Sequence, residues 1–159
     1  MDKQIIMEPI NKSMVTEITI AYRPRKRALN RPKIITLEDA IDAILCGFNK
    51  DTMMLQEQFV VLYLNQTNSV LGVFKASIGG ISGTVIDTRI IFSVGLKLLA
   101  TKMIIAHNHP SGNVEPSIAD EELTLRLQQA GEIMEIRLID HLIFDAFKNY
   151  YSFAGESYW

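Results

Sequence analysis

The sequence predicts a single α/β domain built on a mixed β-sheet with helices packed on it. Short apolar runs typical of buried strands alternate with segments whose apolar residues recur at helical spacing. The alternation lacks the regularity of a doubly wound fold, which favours a mixed sheet over an all-parallel one. A chain of 159 residues, 48% of them hydrophobic, is also the size of one domain with one core.

The first 34 residues differ in composition from the rest. Residues 15–22 alternate apolar and polar side chains in the manner of a half-exposed strand, and residues 23–33 are rich in Arg and Lys and contain two prolines. We therefore divide the chain into an N-terminal strand with a basic arm or linker, residues 1–34, and a domain, residues 35–159. At the arm, a solvated linker is favoured over a nucleic-acid contact, because short basic runs rarely form a footprint alone.

Cap and turn residues locate the elements of the first half of the domain. Thr36 is expected to cap a helix that has acidic residues in its first turn and Gly47 at its end. The apolar run at residues 59–64 predicts a buried strand, and residues 69–76 predict the return strand of a hairpin. Residues 83–87 are also strand-like.

Helices and strands are expected to alternate in the second half, in the order helix 89–101, strand 102–106, helix 117–132, strand 136–144 and a short strand at 150–153. The apolar face of the first of these helices is predicted to comprise Ile91, Val94, Leu98 and Leu99. The apolar face of the second is predicted to comprise Leu123, Leu127, Ala130 and Met134. Both faces would pack against the sheet.

Composition predicts a soluble, cytoplasmic protein with no membrane partner. The chain has 16 basic and 18 acidic residues, so its overall charge gives no reason to expect nucleic acid. A single cysteine, Cys46, excludes an intrachain disulfide framework, fits a reducing compartment and is expected to be a small buried hydrophobe. The apolar stretches are far shorter than the ~20 residues that cross a bilayer. The first four residues lack the start of a secretory signal.

Two histidines at the end of a predicted buried strand indicate a metal site. His107 and His109 are separated by one residue. Alternate side chains of a strand share a face, so both imidazoles can bind one ion. Pro110 and Gly112 then turn the chain away. Catalytic zinc typically takes three protein ligands and one water, and Asp120, in the first turn of the next helix, is available as the third ligand.

Each of these residues also has a purely structural interpretation. A single histidine in a strand is more often a hydrogen-bonded core residue, but two at this spacing before a Pro-Ser-Gly turn favour a metal. Ser117 and Asp120 also match the Ser-x-x-Asp pattern of a capped helix N-terminus. A cap contributes ~1 kcal/mol, whereas lowering the pKa of a bound water from about 15.7 to about 7 corresponds to roughly 12 kcal/mol. Ligation would therefore dominate the effect of Asp120 on function.

The string from His107 to Asp120, HNHPSGNVEPSIAD, resembles the JAMM signature of the JAB/MPN metallopeptidases in their bacterial RadC-like branch. The resemblance covers about the last hundred and ten residues, through Asp140-His141-Leu142-Ile143. It implies a JAB/MPN-like, that is cytidine-deaminase-like, domain and one zinc ion per chain, bound by His107, His109 and Asp120. It also implies that Ser117 helps to hold the oxyanion or the bound water.

The same resemblance implies a catalytic glutamate immediately before the first core strand, and Glu57 occupies that place. Glu57 would take a proton from the metal-bound water and pass it to the leaving amine, a role typically worth ~10²–10⁴ in rate. A solvated carboxylate at a strand edge is the alternative for Glu57, and Glu115 and Glu121 are competing acids near the motif. The implied activity is hydrolysis of an amide or isopeptide bond in a peptide or protein substrate.

The sequence departs from the RadC-like pattern in two places. Many RadC-like proteins carry an N-terminal helix-hairpin-helix region associated with DNA, and the first forty residues are too few and too strand-like to supply it. RadC-like sequences also commonly have an acidic residue within the segment 88–92, where Ile90 cannot take that role. A link to DNA therefore depends on the family label and on the basic arm.

Two other functions stay open beside the hydrolase. The first is a DNA-associated repair factor or nucleic-acid-processing protein of the RadC type, whose phosphate contacts would make binding sensitive to salt. The second is an inactive scaffold, although the complete ligand set argues against it. The string His-Asn-His is not an HNH nuclease motif, whose residues are dispersed over a ββα-metal fold. His141 lies in an apolar strand, where a structural, hydrogen-bonded histidine is favoured over a contact to the site.

Overall fold

The computed structural model describes residues 30–80 and 85–155, and in these ranges the domain alternates helices and strands as the apolar patterns predict. The predicted strand at residues 15–22 and most of the basic arm lie outside the described residues. The helices are α1 (Leu37–Leu45), α2 (Thr88–Leu98) and α3 (Ile118–Ile133). The strands are β1 (Gln58–Leu64), β2 (Val70–Ile78), β3 (Lys102–Asn108), β4 (Arg137–Phe144) and β5 (Tyr150–Ser152). A short 3-10 helix spans Lys50–Thr52.

The strands form one mixed sheet in the order β2-β1-β3-β4-β5. β1 is antiparallel to both β2 and β3, β4 is antiparallel to β5, and β3 and β4 are parallel. Parallel neighbours need a crossover connection, and α3 provides it between β3 and β4. The predicted α/β class with a mixed sheet and packed helices is therefore confirmed.

Helices cover both faces of the sheet and divide the buried residues into two clusters. α1 packs on one face, where its buried residues meet alternate residues of β1, β3 and β4, including Leu62, Ala106 and Leu142. α2 and α3 pack on the other face, against Val61, Ile105 and Leu138 among others. Strands that are buried on both faces have nearly continuous apolar sequences, which explains why β1 and most of β3 lack an alternating pattern.

The end of the predicted arm is attached to the hairpin between β1 and β2. Val70 donates a backbone hydrogen bond to Pro32, and Lys33 forms an isolated antiparallel bridge with Ser69. Ile34 is buried in the α1 cluster. The polypeptide therefore joins the domain slightly before residue 35.

Two predicted helix-face positions are wrong because the helices end earlier than their apolar patterns suggest. Leu99 follows α2 in a left-handed conformation with φ 55°, and its N–H bonds to Gly95 and Leu96 carbonyls. Its side chain is 80% exposed. Met134 is the residue that ends α3, and it is exposed. The predicted α3 residues Leu123, Leu127 and Ala130 do pack on the sheet.

Two further expectations are corrected. Residues 85–87 do not form a strand: Val85 is 90% exposed, and the Asp87 side chain accepts a hydrogen bond from the Arg89 N–H as the cap of α2. Residues 83 and 84 of that prediction lie outside the described residues. Cys46 is exposed at the end of α1 rather than buried, and its thiol donates to the Asp42 carbonyl. Among the described helices, none is long and apolar enough to cross a bilayer.

Candidate metal centre

The two predicted histidine ligands lie at the end of β3, on the sheet face that α3 covers: His107 is in the strand, and His109 follows its last residue. His107 pairs with Phe59 of β1 and with Ile143 of β4. The His109 N–H continues the ladder by donating to the Phe144 carbonyl at 2.8 Å. Because the backbone stays extended, both imidazoles lie on one side of the sheet, with their Nε2 atoms 2.9 Å apart.

The N-terminus of α3 places Asp120 against both rings. The Asp120 Oδ1 atom lies 3.1 Å from His107 Nε2, and its Oδ2 atom lies 3.6 Å from His109 Nε2. His107 is buried, and the other two side chains are mostly so. The structure therefore brings together the three residues that the sequence predicts as ligands.

The spacing of these three ligand atoms suits a metal ion. Zinc binds imidazole nitrogen and carboxylate oxygen at about 2.0–2.2 Å in tetrahedral geometry, which separates neighbouring ligand atoms by roughly 3.3–3.5 Å. The two Nε2 atoms are 2.9 Å apart, and the Asp120 carboxylate approaches them to 3.1 Å through Oδ1 and 3.6 Å through Oδ2, around that value. His107, His109 and Asp120 could therefore hold a metal ion as a group.

Burial and hydrogen bonding act in opposite directions on the carboxylate. Burial raises the pKa of Asp120, but hydrogen bonds from His107, His109 and Ser117, together with the charge of His107, hold it well below its usual range. Asp120 is therefore ionised, as a metal ligand must be.

Several neighbouring groups change the pKa of His109, and together they raise it. Its hydrogen bond to Asp120 raises its pKa, burial lowers it, and the Asn113 carbonyl together with the charges of Asp120 and Glu57 raises it further. The Nδ1 atom lies 2.6 Å from the Asn113 carbonyl oxygen. A carbonyl only accepts, so Nδ1 carries a proton and Nε2 is the nitrogen left to bind a metal.

His141 is a buried, hydrogen-bonded histidine, as its sequence context indicates, and one of its hydrogen-bond partners is the candidate ligand His107. Its Nε2 atom lies 2.8 Å from His107 Nδ1, and its Nδ1 atom lies 2.6 Å from the Thr124 hydroxyl. Burial and the nearby His107 lower the pKa of His141 well below its usual value, so the ring is neutral. The preference for a structural role over a contact to the site is therefore corrected, because His141 takes both.

Glu57 precedes β1 and is half-buried. It lies two residues before Phe59, which pairs with His107, and its backbone exchanges hydrogen bonds with Gly79 and Gly80. Its negative charge is close enough to raise the pKa of His109. The structure therefore brings Glu57 to the edge of the site.

The competing acids have other surroundings. Glu115 lies on the loop before α3, and Glu121 lies in the first turn of that helix. Both side chains are exposed. Glu115 and Glu121 are therefore close to the histidine motif in sequence but are not buried at the site.

Ser117 caps α3, and its hydroxyl is bound to the candidate ligand. Its Oγ donates to Asp120 Oδ2 at 2.6 Å and accepts from the Asp120 N–H at 3.2 Å, while the Ser117 N–H donates to the same carboxylate at 2.8 Å. The capping box is therefore confirmed, and it is compatible with a ligand role for Asp120. Capping orients the carboxylate that faces the histidines.

The sequence interpretation missed the contacts of Thr124 and Asn108. Thr124 lies four residues after Asp120, so a helix places both on one face, and that spacing was an available signal. Asn108 points to the opposite face of the sheet, as alternation predicts. There its amide accepts from the Gln58 N–H and donates to the Met53 and Gln56 carbonyls. These contacts are long-range, and no local pattern indicates them.

Comparison with known proteins agrees with this arrangement. A family model described as the RadC-like JAB domain matches residues 35–158. A UPF0758 protein of Flavobacterium johnsoniae is 47% identical over 144 residues, which cover 91% of this chain and 62% of the relative. UPF0758 proteins of Porphyromonas gingivalis and Streptococcus sanguinis are 44% and 42% identical, over 66% and 65% of this chain and 46% and 45% of their own length. The chain thus spans about half to two-thirds of the curated relatives it matches.

The matched range begins just before α1 and includes every described element of the sheet and helices, together with His107, His109 and Asp120. The fold, the arrangement of these residues and the similarity to the UPF0758 proteins lead to one assignment. This chain belongs to the RadC-like JAB domain family, within the JAB/MPN superfamily.

Proposed function

We propose that this domain is a zinc-dependent hydrolase of the metallopeptidase or isopeptidase type, with one zinc ion per chain. The observation that carries the proposal is the convergence of His107 Nε2, His109 Nε2 and the Asp120 carboxylate at separations of 2.9–3.6 Å, beside the start of the strand that Glu57 precedes. Three protein ligands with a fourth position for water are typical of catalytic zinc. Two imidazoles and one carboxylate are a ligand set that zinc accepts readily.

The chemistry divides between the ion and the side chains. A zinc ion held by His107, His109 and Asp120 would supply Lewis-acid activation of a water and of the substrate carbonyl. The Glu57 carboxylate accepts the proton of the attacking water and donates it to the nitrogen of the leaving amine. Asp120 and the two histidines orient their ligand atoms toward one point.

The role that we assign to Ser117 is more limited than the one implied by the resemblance to the JAMM family. Its single hydroxyl proton is donated to Asp120 Oδ2, and a hydroxyl has no second proton to give to a substrate oxygen. We therefore assign Ser117 the positioning of the Asp120 carboxylate. Direct help to an oxyanion would require the hydroxyl to rotate away from that carboxylate.

Replacing Glu57 by glutamine tests the proposal. Glu57→Gln keeps the shape of the side chain and all three ligands, so zinc should remain bound while turnover falls by roughly 10²–10⁴. Turnover is measured on quenched-fluorescent peptides and on an isopeptide-linked lysine peptide, and zinc content by mass spectrometry. Glu115→Gln, an exposed acid near the motif, is the matched control and should keep wild-type turnover.

Three outcomes would count against this assignment. Unchanged turnover in Glu57→Gln would remove Glu57 from the reaction. A loss in Glu115→Gln instead would transfer the role to Glu115. Absence of zinc-dependent cleavage by the wild-type chain across these substrates would overturn the peptidase and isopeptidase proposal itself.

A DNA-associated role of the RadC type is the second candidate, and the RadC-like family match favours it as much as hydrolysis. The basic residues 23–33 are the part of the chain suited to phosphate contacts. Such binding should weaken steeply as salt rises. Titration of a labelled DNA duplex and a single strand at low salt tests it, and no binding there would end this candidate.

We also propose a cytoplasmic location and a separate arm over residues 1–34. A single, exposed cysteine is typical of proteins from reducing compartments. The family match starts at residue 35, which supports treating the preceding segment apart from the catalytic domain. Localisation of a tagged protein tests the first point. Removal of residues 1–31, which leaves the Lys33–Ser69 bridge and the buried Ile34 in place, followed by zinc titration tests the second.

A further inference from the structure

A buried chain of hydrogen bonds starts at one candidate ligand and ends on the backbone of another. His107 Nδ1 lies 2.8 Å from His141 Nε2, His141 Nδ1 lies 2.6 Å from Thr124 Oγ1, and the Thr124 hydroxyl donates to the Asp120 carbonyl oxygen at 2.6 Å. His107 Nε2 in turn faces the Asp120 side chain at 3.1 Å. These contacts close a ring that joins β3, β4 and α3.

The direction of each proton in this chain follows from its last acceptor. The Asp120 carbonyl oxygen can only accept, so the one hydroxyl proton of Thr124 is used there. The Thr124 oxygen must then accept from His141, which places a proton on His141 Nδ1. Reversing this bond would leave two oxygen atoms 2.6 Å apart with no proton between them.

The remaining proton is assigned by the burial of His141. Its ring is fully buried, stacked on Phe153 at 4.9 Å and tilted against Phe59. An imidazolium in such apolar surroundings is costly, so a ring protonated at Nδ1 has a bare Nε2. That bare nitrogen can only accept, and His107 must supply the proton from its Nδ1.

We propose that Thr124 and His141 are positioning residues that hold a proton on His107 Nδ1, so that Nε2 is the nitrogen of His107 left to bind a metal. The functional meaning of this relay rests on the proposed zinc centre, but the proton pattern is a property of the metal-free chain. His109 reaches the same state more simply, through the Asn113 carbonyl. The Nδ1 proton of His107 is thus held by His141, 34 residues away in sequence, and that of His109 by the Asn113 carbonyl.

Nitrogen NMR of the metal-free protein tests the proton pattern directly. The chain has three histidines, and all of them lie at this site, so long-range ¹H–¹⁵N spectra of ¹⁵N-histidine-labelled protein contain little overlap. His107 should show a protonated Nδ1, and His141 should show a protonated Nδ1 and an unprotonated Nε2. An unprotonated His107 Nδ1, or a proton on His141 Nε2, in the wild-type chain would overturn the proposal, whatever the variants do.

Two substitutions at Thr124 separate the relay from general packing. Thr124→Val keeps the shape but removes the acceptor, so His141 should shift its proton to Nε2 and drive the His107 proton onto the ligand nitrogen. Zinc affinity, measured by competition with a chromophoric chelator, should fall roughly 10- to 100-fold. Thr124→Ser keeps the hydroxyl and should retain both the wild-type tautomers and the wild-type affinity.

The outcomes distinguish this inference from the proposed function. Unchanged tautomers and unchanged zinc affinity in Thr124→Val would overturn the relay. If Thr124→Val does not fold, as judged by circular dichroism, the wild-type and Thr124→Ser spectra decide. Predicted tautomers in a wild-type chain that binds no zinc would support the relay and count against the zinc hydrolase.

Discussion

At the scale of single residues, Asn108 connects the two halves of the candidate site. It lies between His107 and His109 in sequence but points to the α1 face of the sheet. Its amide binds the Gln58 N–H at 2.8 Å and the Gln56 carbonyl at 3.1 Å. These two groups flank Glu57, so one buried side chain holds the backbone on both sides of the proposed general base.

Replacing Asn108 by alanine should therefore affect hydrolysis more than metal binding. Asn108→Ala leaves buried backbone groups without partners, each costing about 1–3 kcal/mol, and frees the segment that carries Glu57. We expect lower stability and a clear loss of turnover, with zinc affinity close to wild type. Urea unfolding, peptide turnover and zinc titration measure the three quantities.

Asn65→Ala provides the matched control. The Asn65 side chain also accepts several hydrogen bonds, from Thr67 and Ser69, but in the β1–β2 turn away from the site. It should lose stability and keep turnover per folded molecule. Equal turnover in the two alanine variants would contradict a positioning role for Asn108.

Residue-scale features were predictable where the contacts are local. His107, His109, Ser117 and Asp120 lie within one short segment, and strand alternation with helix capping is enough to bring them together. His141 was not placed at the site, because its contact to His107 depends on β3 and β4 being parallel neighbours. Strand order is a property of the whole fold and leaves no mark on the local sequence.

At the scale of elements, two helices begin with the same device. α1 and α3 each begin with a capping box. The hydroxyl of the N-cap residue accepts a hydrogen bond from the backbone N–H of an aspartate three residues later, and the aspartate side chain accepts one from the N-cap N–H. The pairs are Thr36 with Asp39 and Ser117 with Asp120. In the described part of the chain, the Asp39 carboxylate accepts hydrogen bonds from backbone N–H groups at the start of α1. The Asp120 carboxylate also faces His107 and His109. α1 is therefore a natural control for α3.

Alanine at each cap should separate stability from function. Ser117→Ala and Thr36→Ala should both lower the free energy of unfolding by about 1 kcal/mol. Only Ser117→Ala should also weaken zinc binding, because it removes the hydroxyl that orients Asp120. Chemical unfolding and zinc titration of both variants check this, and equal zinc affinities would show that the α3 cap is only structural.

Helix ends explain most of the corrections at this scale. Leu99 and Met134 continue the apolar spacing of α2 and α3, but each lies where its helix stops. A left-handed residue such as Leu99 is not predicted by hydrophobic periodicity, since periodicity describes faces and not termini. Residues 85–87 likewise have strand-like composition, yet they pair with no strand of the described sheet and end in Asp87, the N-cap of α2.

At the scale of the whole molecule, the candidate centre lies where separate parts of the fold meet. His107 comes from β3 and His109 directly follows it, Asp120 comes from α3, and the supporting His141 comes from β4. A metal ion bound to the first three would cross-link a strand to a helix. Binding to the folded chain alone also stabilises it by mass action.

Zinc should therefore raise the melting temperature. At a free zinc concentration 100 times the Kd, the stabilisation is about 2.7 kcal/mol, or roughly 5–10 °C for a chain of this size. Differential scanning calorimetry with zinc, and with magnesium as the control ion, measures the shift. Asp120→Asn should abolish most of it, and a full zinc response in that variant would place the ion elsewhere.

Anomalous X-ray scattering from zinc-reconstituted crystals, collected on both sides of the zinc absorption edge, tests the central claim most directly. We predict one strong zinc peak per chain, about 2.0–2.2 Å from His107 Nε2, His109 Nε2 and an Asp120 carboxylate oxygen. A peak coordinated by other residues, or no zinc peak at these three side chains, would contradict the account.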